Sequence, residues 1–213
     1  MTIEQYYRER APEYDEFYRV PRRQGELGEL KNWLIERARG RKILEIAAGT
    51  GYWTQVAASV AKAITATDYN SETLAIAADR GLGPHVKLIR ADAYMLPDFA
   101  ESFDAGMAML WWSHVDKQRY TEFLWKFTAH LEPGALLLMM DQVYLEPFST
   151  PSSRRDGWGN QYAVRKLANG STYEIIKNYP SDEELRETFA RSCEDICIMR
   201  THEFWTLSAR VRV

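Results

Sequence analysis

Acidic side chains follow successive apolar runs in this sequence, where they could bind hydroxyl and amino groups of a ligand. Glu45 lies just before the segment 47–51, whose glycines allow a sharp backbone turn and a close approach to a ligand. Asp68 ends the next apolar run, nineteen positions after Gly49. At an offset of about 20 residues, a carboxylate can accept hydrogen bonds from ribose hydroxyls. Asp92 follows the third run, where a carboxylate could accept from the exocyclic amine of a purine.

Each of these acids alone could cap a helix or lie in a solvated turn, and a tight strand-to-helix turn would use glycine without any ligand. The three acids together with the glycine turn indicate a ligand site more specifically than any one of them does. If each apolar run is a parallel strand, the carboxyl ends of the strands meet at one edge of the sheet, which is where open α/β sheets bind ligands. The three acids would then line one crevice.

A nicotinamide dinucleotide is the rival ligand for such a crevice. Its binding loop carries three glycines, which let the pyrophosphate approach the helix start and the helix pack closely. Counting from Ala47, the third glycine position is occupied by Tyr52, and counting from Gly49 it is occupied by Thr54. A phosphate-cradling loop with Lys and Ser or Thr is also missing from the sequence. The spacing therefore disfavours both phosphate-binding loops.

Short apolar runs that alternate with helical spacing would position these residues, as in a parallel sheet with helices between its strands. The runs predict five strands, at 42–46, 63–68, 86–90, 103–109 and 135–141. Before the last of these, apolar residues recur at three and four positions from Tyr120 to Leu131, and Pro133 with Gly134 predicts the end of that helix. Two further extended segments, 194–200 and 204–213, complete a predicted sheet of seven strands.

Two segments lie outside this alternation. The first 22 residues are rich in aromatic side chains and predict a separate helical unit. Residues 142–180 form an insertion that is too long for an ordinary connection in a compact domain, and this length predicts a functional segment. Within it, the runs 162–167 and 172–177 flank Asn169 and Gly170, whose positive-φ turn chemistry predicts a β-hairpin.

These motifs resemble those of class I S-adenosylmethionine-dependent methyltransferases. The likeness covers 6–131 closely, through the segments 44–53, 67–70, 90–97 and 103–109, and the later strands loosely. It implies a single Rossmann-like methyltransferase domain over 1–213, of the α/β class. This fold has a seven-stranded mostly parallel sheet with helices on both faces. An N-terminal helical lid over 1–22 and a β-hairpin insertion after the fifth strand are expected in addition.

The resemblance implies S-adenosylmethionine (SAM) as the cofactor, with S-adenosylhomocysteine (SAH) as its product. The implied contacts lie in the lid or where the strands end: Tyr14, Glu45, Ala47, Gly49, Asp68, Tyr69, Asp92, Ala93 and Met109. The glycine loop and Met109 would lie at the methionine portion, Asp68 at the ribose, and Tyr69, Asp92 and Ala93 at the adenine. Tyr14 is included because the early tyrosines resemble the lid of small-molecule methyltransferases such as those of quinone biosynthesis. A plain amphipathic docking segment is the alternative for the lid.

Methyl transfer requires a positioned acceptor, and a base where the acceptor carries a proton. His114 follows the fourth strand and is the predicted base, but it could equally satisfy a loop or cap the next helix. Predicted substrate contacts come from the lid, the end of the fourth strand and the insertion: Tyr7, Tyr18, Trp111, Trp112, Arg154 and Trp158. An arginine of the insertion could face a carboxylate of a polar or anionic molecule. The alternatives are core packing for the tryptophans, and a solvated face or a homodimer contact for the insertion.

Composition and missing motifs narrow the acceptor. A net charge of −3 and a pI near 5.9 argue against a phosphate-tracking surface, so nucleic acid is not an expected partner. The segment after Met109 lacks the Asp or Asn with two prolines and an aromatic of amino-methylating nucleic-acid enzymes. It also lacks the Pro-Cys pair of cytosine C5 methylation, the paired glutamates of arginine methylation and the acidic cluster of a metal site. A small-molecule acceptor remains, methylated at oxygen, nitrogen or carbon.

The expected location is cytoplasmic. No apolar run approaches the ~20 residues of a membrane span, so no membrane contact is expected. Cys193 and Cys197 are predicted to be core thiols on one strand face, as in a reducing compartment. The sequence therefore predicts a cytoplasmic methyltransferase without a metal. A catalytically silent cofactor-binding or regulatory protein is the alternative, because fold alone does not establish turnover.

Overall fold

A large sheet organises the chain, of which the computed structural model describes residues 3–212. Within this range the strands are β1 (Lys42–Glu45), β2 (Ala63–Asp68), β3 (Val86–Arg90), β4 (Phe103–Met109), β5 (Leu131–Gln142), β6 (Arg154–Arg155), β7 (Gln161–Lys166), β8 (Thr172–Ile176), β9 (Cys193–Arg200) and β10 (Phe204–Val211). Seven of them form one sheet in the order β3, β2, β1, β4, β5, β10, β9, and the other three form a small antiparallel sheet. In the large sheet β10 runs antiparallel to both neighbours, and the remaining pairs are parallel. The predicted fold class is confirmed.

Helices cover both faces of the large sheet. They are α1 (Ile3–Arg10), α2 (Glu16–Arg19), α3 (Gln24–Ala38), α4 (Tyr52–Ala58), α5 (Ser71–Ala78), α6 (Tyr120–Thr128) and α7 (Asp182–Phe189). On one face α3 and α4 bury Trp33 and Trp53, and on the other α6 and α7 bury Phe123 and Phe189. The central strands are covered on both sides, which is why they read as continuous apolar runs. Among residues 3–212, no helix is long and apolar enough to cross a membrane.

The junction between α6 and β5 differs from the prediction. α6 ends at Thr128, and β5 begins at Leu131, four residues earlier than expected. Leu131 pairs with Phe103 of β4, and the register then shifts. Pro133 and Gly134 lie in this irregular part, because proline has no N–H to donate and Gly134 has a φ of 76°. Pro133 and Gly134, which predicted the end of α6, therefore mark an irregularity near the start of β5.

A second irregularity separates the two cysteines of β9. Cys193 is buried and Cys197 is exposed. Asp195, between them, has a φ of 52°, and the register between β9 and β10 shifts in the same part of the ladder. Left-handed backbone interrupts the two-residue alternation of side chains. The prediction that both thiols lie in the core is therefore wrong for Cys197.

The lid and the insertion pack on each other. The hairpin of β7 and β8 turns at Gly170, which has a φ of 88°, while Asn169 contributes through its side chain, whose oxygen accepts from the Ser171 amide at 2.9 Å. Glu9 of α1 accepts hydrogen bonds from the side chains of Asn169 and Ser171. Tyr6 is buried beside the hairpin in a small cluster with Leu167, Tyr173 and Ile175. Segments about 160 residues apart in sequence thus form one unit.

Gly51 allows α4 and α5 to approach each other closely behind the loop that follows β1, because it has no Cβ. Its φ is 78°, and a Cβ there would lie 2.8 Å from the Cβ of Ala77. We expect Gly51→Ala to lower the free energy of unfolding by about 2–4 kcal/mol, combining left-handed strain with overpacking. Gly40→Ala is the matched control, because its φ of 71° is similar and nothing lies within 4 Å of its added Cβ. Urea denaturation should show a loss of only about 1–2 kcal/mol for the control, whereas equal losses would mean that Ala77 moves away without cost.

Candidate active site

A cleft of about 160 Å³ opens where β1, β2, β3 and β4 end, and the lid contributes to its wall. We call it the strand-end cleft. The lid supplies Tyr7 and Tyr14. The loops and strand ends supply Ala47, Gly49, Asp68, Tyr69, Asp92, Ala93 and Met109. The structure therefore brings together all of the predicted cofactor contacts except Glu45, and their contact with a cofactor stays a prediction.

Asp68 is held rigidly in this cleft. One carboxylate oxygen accepts from the Gly49 amide at 2.8 Å. The other accepts from the Asn70 amide at 2.8 Å and the Thr73 hydroxyl at 2.9 Å. Burial raises the pKa of Asp68, which is 9% exposed, and these hydrogen bonds act in the opposite direction. An ionised carboxylate has about four acceptor sites, so the group can still accept from a ligand.

Glu45 lies behind the cleft rather than in its wall. The Thr54 hydroxyl donates to its carboxylate at 2.6 Å, and burial raises the pKa of Glu45 to about 8. The same segment carries strain, because Ala47, a residue with a Cβ, has a φ of 54°. Such left-handed backbone costs roughly 1–2 kcal/mol. Glu45 therefore connects β1 to α4 behind the cleft, while Ala47 and Gly49 line the strand-end cleft.

Two buried polar atoms in the wall of the strand-end cleft have no hydrogen-bond partner in the described part of the chain. They are Asn70 Oδ1 and Trp111 Nε1. Buried polar atoms normally have partners, because leaving one unpaired costs about 1–3 kcal/mol. A ligand with a donor for Asn70 and an acceptor for Trp111 would satisfy both. With the carboxylates of Asp68 and Asp92 in the same wall, the cleft fits a nucleoside, whose hydroxyl and amino groups are donors.

A second space of about 110 Å³ adjoins the cleft, and we call it the cationic cavity. Tyr7, Tyr14 and Leu110 line both spaces and so form the boundary between them. Leu110 has a φ of 59°, an uncommon conformation that is often found at functional sites. The rest of the wall comes from the lid, the end of β5 and the insertion, and it includes Arg10, Phe17, Gln142, Arg165, Lys177 and Tyr179.

Positive charge dominates the wall of the cationic cavity. Arg10 donates to the Tyr6 hydroxyl and lies 5.1 Å from the Tyr14 ring centroid, and Arg165 donates to the Thr150 hydroxyl. Neither guanidinium forms an ion pair within residues 3–212. Two positive charges in this wall therefore lack a balancing carboxylate.

The carboxylates around the cationic cavity already have partners. Glu203 in its wall accepts from Arg22 at 3.3 Å and from Arg23 at 2.8 Å. Asp141, which is fully buried, pairs with Lys177 at 3.3 Å. Burial would raise the pKa of Asp141, but Lys177 and backbone amides bring it below its ordinary value. The cavity thus presents net positive charge to a ligand.

His114 lies in the wall of the cationic cavity beside Tyr7 and is fixed by two hydrogen bonds. Its Nδ1 lies 2.7 Å from the carbonyl oxygen of Ile176, which can only accept, so Nδ1 carries the proton. Nε2 therefore accepts from the Tyr7 hydroxyl at 2.6 Å. Burial, and then the positive charge of Lys177, lower the pKa of His114 to about 3. The neutral ring with its lone pair already engaged favours a positioning role over the predicted role of base.

The predicted substrate contacts separate into three groups. Tyr7 lines both spaces, and Trp111 lines the strand-end cleft. Tyr18 and Trp112 are core residues: Tyr18 stacks on Tyr52 with ring centroids 3.6 Å apart, and Trp112 packs against α6 and α7. The remaining pair is exposed and lines neither space: Arg154 pairs with Glu174 at 2.9 Å, and Trp158 is 68% exposed.

Four of the predicted substrate contacts, Tyr18, Trp112, Arg154 and Trp158, thus line neither space, and their contact with a substrate stays an untested prediction. Adjacent tryptophans of a 3-10 turn point in different directions, so only the first reaches a ligand space. Arg10, Arg165 and Lys177 of the cationic cavity are among the lining residues that were not predicted as contacts. A signal for Lys177 exists in the sequence, because Tyr173 and Ile175 alternate with it on the buried face of β8 and its extension.

Sequence comparison relates part of the chain to known proteins. Residues 43–134 match the family model described as a methyltransferase domain. The ribosomal protein L11 methyltransferase of Bradyrhizobium diazoefficiens is 28% identical over 115 residues, which are 52% of this chain. The chain spans only 38% of the length of that relative.

Structural comparison extends over nearly the whole chain. The DhpI–SAH complex has a TM-score of 0.80 and 27% identity, covering 98% of this chain and 94% of DhpI. The DhpI–SAM–HEP complex has a TM-score of 0.78 and 28% identity, covering 97% and 94%. The glycopeptide N-methyltransferase MtfA with bound SAH has a TM-score of 0.65 and 16% identity, covering 86% and 88%, and shares the fold.

Proposed function

We propose that this chain, a class I methyltransferase with its own lid and hairpin insertion, transfers the methyl group of SAM to an anionic small molecule in the cationic cavity. The matched methyltransferase domain confirms the class that the sequence motifs predicted. The similarity to DhpI with SAH and SAM supports SAM as the cofactor. The acceptor and its atom are proposed from the geometry of the site.

The residues of the strand-end cleft fit this cofactor. When bound, SAM supplies an electrophilic methyl group on a sulfonium. Asp68 and the unpartnered Asn70 oxygen would accept from the ribose hydroxyls, and Asp92 would accept from the adenine amine. Tyr69 and Ala93 would lie against the adenine ring. The glycine loop, Tyr14 and Met109 would hold the methionine portion.

The two guanidinium groups without a carboxylate partner are the observation that carries the anionic acceptor. Arg10 and Arg165 reach the cationic cavity from the lid and the insertion, so both segments would grip the same ligand. Guanidinium groups form paired hydrogen bonds with planar carboxylates and with phosphoryl oxygens. Lys177 adds a third cation, fixed by Asp141 and by the Ser113 hydroxyl at 2.8 Å.

An oxygen of the anionic group is the proposed methyl acceptor. An oxyanion carries no proton, so it needs no general base. The described groups that could act as bases at the cavity are engaged: Glu203 by two arginines, Asp141 by Lys177, and His114 by Tyr7. The cations orient the oxyanion, and Tyr7, Tyr14 and Leu110 keep water away from the boundary. Orientation and exclusion of water then provide the acceleration.

A panel of acceptors tests this function. We expect methyl-labelled SAM to label small carboxylic, phosphoric or phosphonic acids, while their neutral amide and ester analogues remain unlabelled, because the cavity is cationic. Preferential labelling of neutral amines or phenols would contradict the proposal. Tight SAH binding with no labelling of any compound would instead favour the catalytically silent protein considered from the sequence.

Arg165→Met tests the cationic cavity directly. Hydrogen bonds to charged groups are worth about 1.5–3 kcal/mol, so kcat/KM for the acidic acceptor should fall by roughly 10- to 150-fold. SAH affinity should be unchanged, because Arg165 does not line the strand-end cleft. Arg154→Met is the matched control: this arginine belongs to the same small sheet, but it is exposed and pairs with Glu174. Equal effects of the two variants on kcat/KM would exclude Arg165 from acceptor binding.

A further inference from the structure

Tyr7 and His114 join three separate parts of the chain at the boundary between the two spaces. Tyr7 belongs to α1, His114 to the 3-10 turn after β4, and the carbonyl of Ile176 to the end of β8. The hydroxyl of Tyr7 lies 2.6 Å from His114 Nε2, and His114 Nδ1 lies 2.7 Å from that carbonyl. One imidazole therefore connects the lid to the insertion.

We propose that neutral His114 is a positioning residue that holds Tyr7, and with it α1, closed over both spaces, and that protonation of His114 releases the lid. The inference rests on the proposed function only for the identity of the ligands that the lid encloses. Tyr7 and Tyr14 of the lid line both spaces, so movement of the lid would open both of them together.

The surroundings of His114 admit the neutral ring and resist the charged one. Lys177 and Arg165 face it with positive charge from the insertion, Asp141 faces it from β5, and Tyr7 faces it from the lid. Asp141 is already engaged by Lys177 at 3.3 Å. With a proton on Nε2 the ring could only donate to the Tyr7 oxygen, and the described residues show no other acceptor for the hydroxyl proton of Tyr7. Closure therefore selects the neutral ring.

The direction of the pH effect follows from linkage. In the closed lid the pKa of His114 is about 3, whereas a solvated histidine in the open lid titrates near its ordinary value of about 6.5. The closed state binds fewer protons, so closure is fully favoured above about pH 6.5. Below that value the ratio of closed to open lid falls about tenfold per pH unit until the pH approaches the closed-state pKa.

Hydrogen exchange of the α1 amides in the ligand-free protein measures this release. After correction for the intrinsic exchange rate, protection of α1 should fall about tenfold between pH 7.5 and pH 5.5. His114→Gln should abolish this fall, because the glutamine oxygen can accept from Tyr7 but does not titrate. His85→Gln is the matched control and should keep the wild-type profile, since His85 contacts the Ala58 carbonyl away from the lid.

A second readout is the dissociation rate of SAH. In the wild type the dissociation rate should rise as the pH falls, and in His114→Gln it should change little with pH. Tyr7→Phe should raise the rate about 2- to 10-fold at pH 7.5, because the variant lacks one hydrogen bond. Asp68 is intact in all of these variants, so any acid effect that it causes is common to them. Protection of α1 that does not change with pH, or a His114→Gln profile equal to the wild type, would overturn the proposal. Because exchange is measured without ligand, a failure of the methyltransferase assay leaves this result readable.

Discussion

Asp68→Ala is expected to weaken SAH binding by roughly 10- to 150-fold. The carboxylate is buried, held by three internal hydrogen bonds, and presented to the strand-end cleft before any ligand arrives. Three of its roughly four acceptor sites are engaged. One hydrogen bond from a ribose hydroxyl to the charged group would contribute about 1.5–3 kcal/mol, which corresponds to a factor of roughly 10 to 150. Isothermal calorimetry with SAH measures the loss.

A matched control separates binding from folding in this experiment. Asp104 also accepts a backbone hydrogen bond, from the Lys42 amide at 3.0 Å, but it lies near the start of β4, at the opposite edge of the sheet. Asp104→Ala should change thermal stability without changing SAH affinity. Asp68→Asn keeps the shape of the side chain and should lose less affinity than Asp68→Ala. SAH affinity of Asp68→Ala within tenfold of the wild type would show that the carboxylate does not hold the ribose.

The largest effect on stability is expected for Lys177→Met, which should lower the free energy of unfolding by about 3–5 kcal/mol at pH 7.5. Lys177 is 3% exposed and Asp141 is fully buried, so the substitution leaves a carboxylate charge in the core without its cation. The double variant with Asp141→Asn should recover most of this loss, since the amide oxygen can still accept from the Ser113 amide. Urea denaturation of the wild type, the two single variants and the double variant measures the coupling.

Acid should lessen the defect of Lys177→Met. In the wild type the pKa of Asp141 lies below its ordinary value despite burial, so this carboxylate stabilises the fold at neutral pH. Without Lys177, burial raises the pKa above the unfolded value, and stability is then lost as the pH rises. The difference from the wild type should shrink from pH 7.5 to pH 5.5. Lys126→Met, which breaks a surface pair with Glu122, should cost less than about 1 kcal/mol. A Lys177→Met loss of the same size would mean that the buried pair contributes no more than a surface one.

The large sheet was predictable because its central strands are buried on both faces. Continuous apolar runs ended by turn residues locate β2 and β4 at their observed limits. The errors lie where the backbone departs from regular pairing, at Gly134 in β5 and Asp195 in β9. A pattern of two or 3.6 residues assumes regular backbone, so it places side chains on the wrong face after such a position.

The strand-end cleft was predictable for a related reason, because parallel strands bring their carboxyl ends together whatever the rest of the chain does. No general rule of this kind predicts which side chains line the cationic cavity. Arg154 and Arg165 lie in neighbouring strands of one small sheet, yet only Arg165 reaches the cavity. Which arginine points inward depends on how the hairpin packs on the lid, and the contacts of Tyr6 that fix this packing join distant parts of the sequence.

The cluster that Tyr6 forms with Leu167, Tyr173 and Ile175 has a consequence for protein engineering. The lid brings Arg10 to the cationic cavity and the insertion brings Arg165, so under the proposed function acceptor preference depends on two distant segments that have to match. A chimaera that receives only residues 142–180 from a relative would leave Tyr6 facing a foreign surface. Grafting a new specificity onto this scaffold therefore calls for residues 1–22 and 142–180 from the same donor, transplanted together as one cassette.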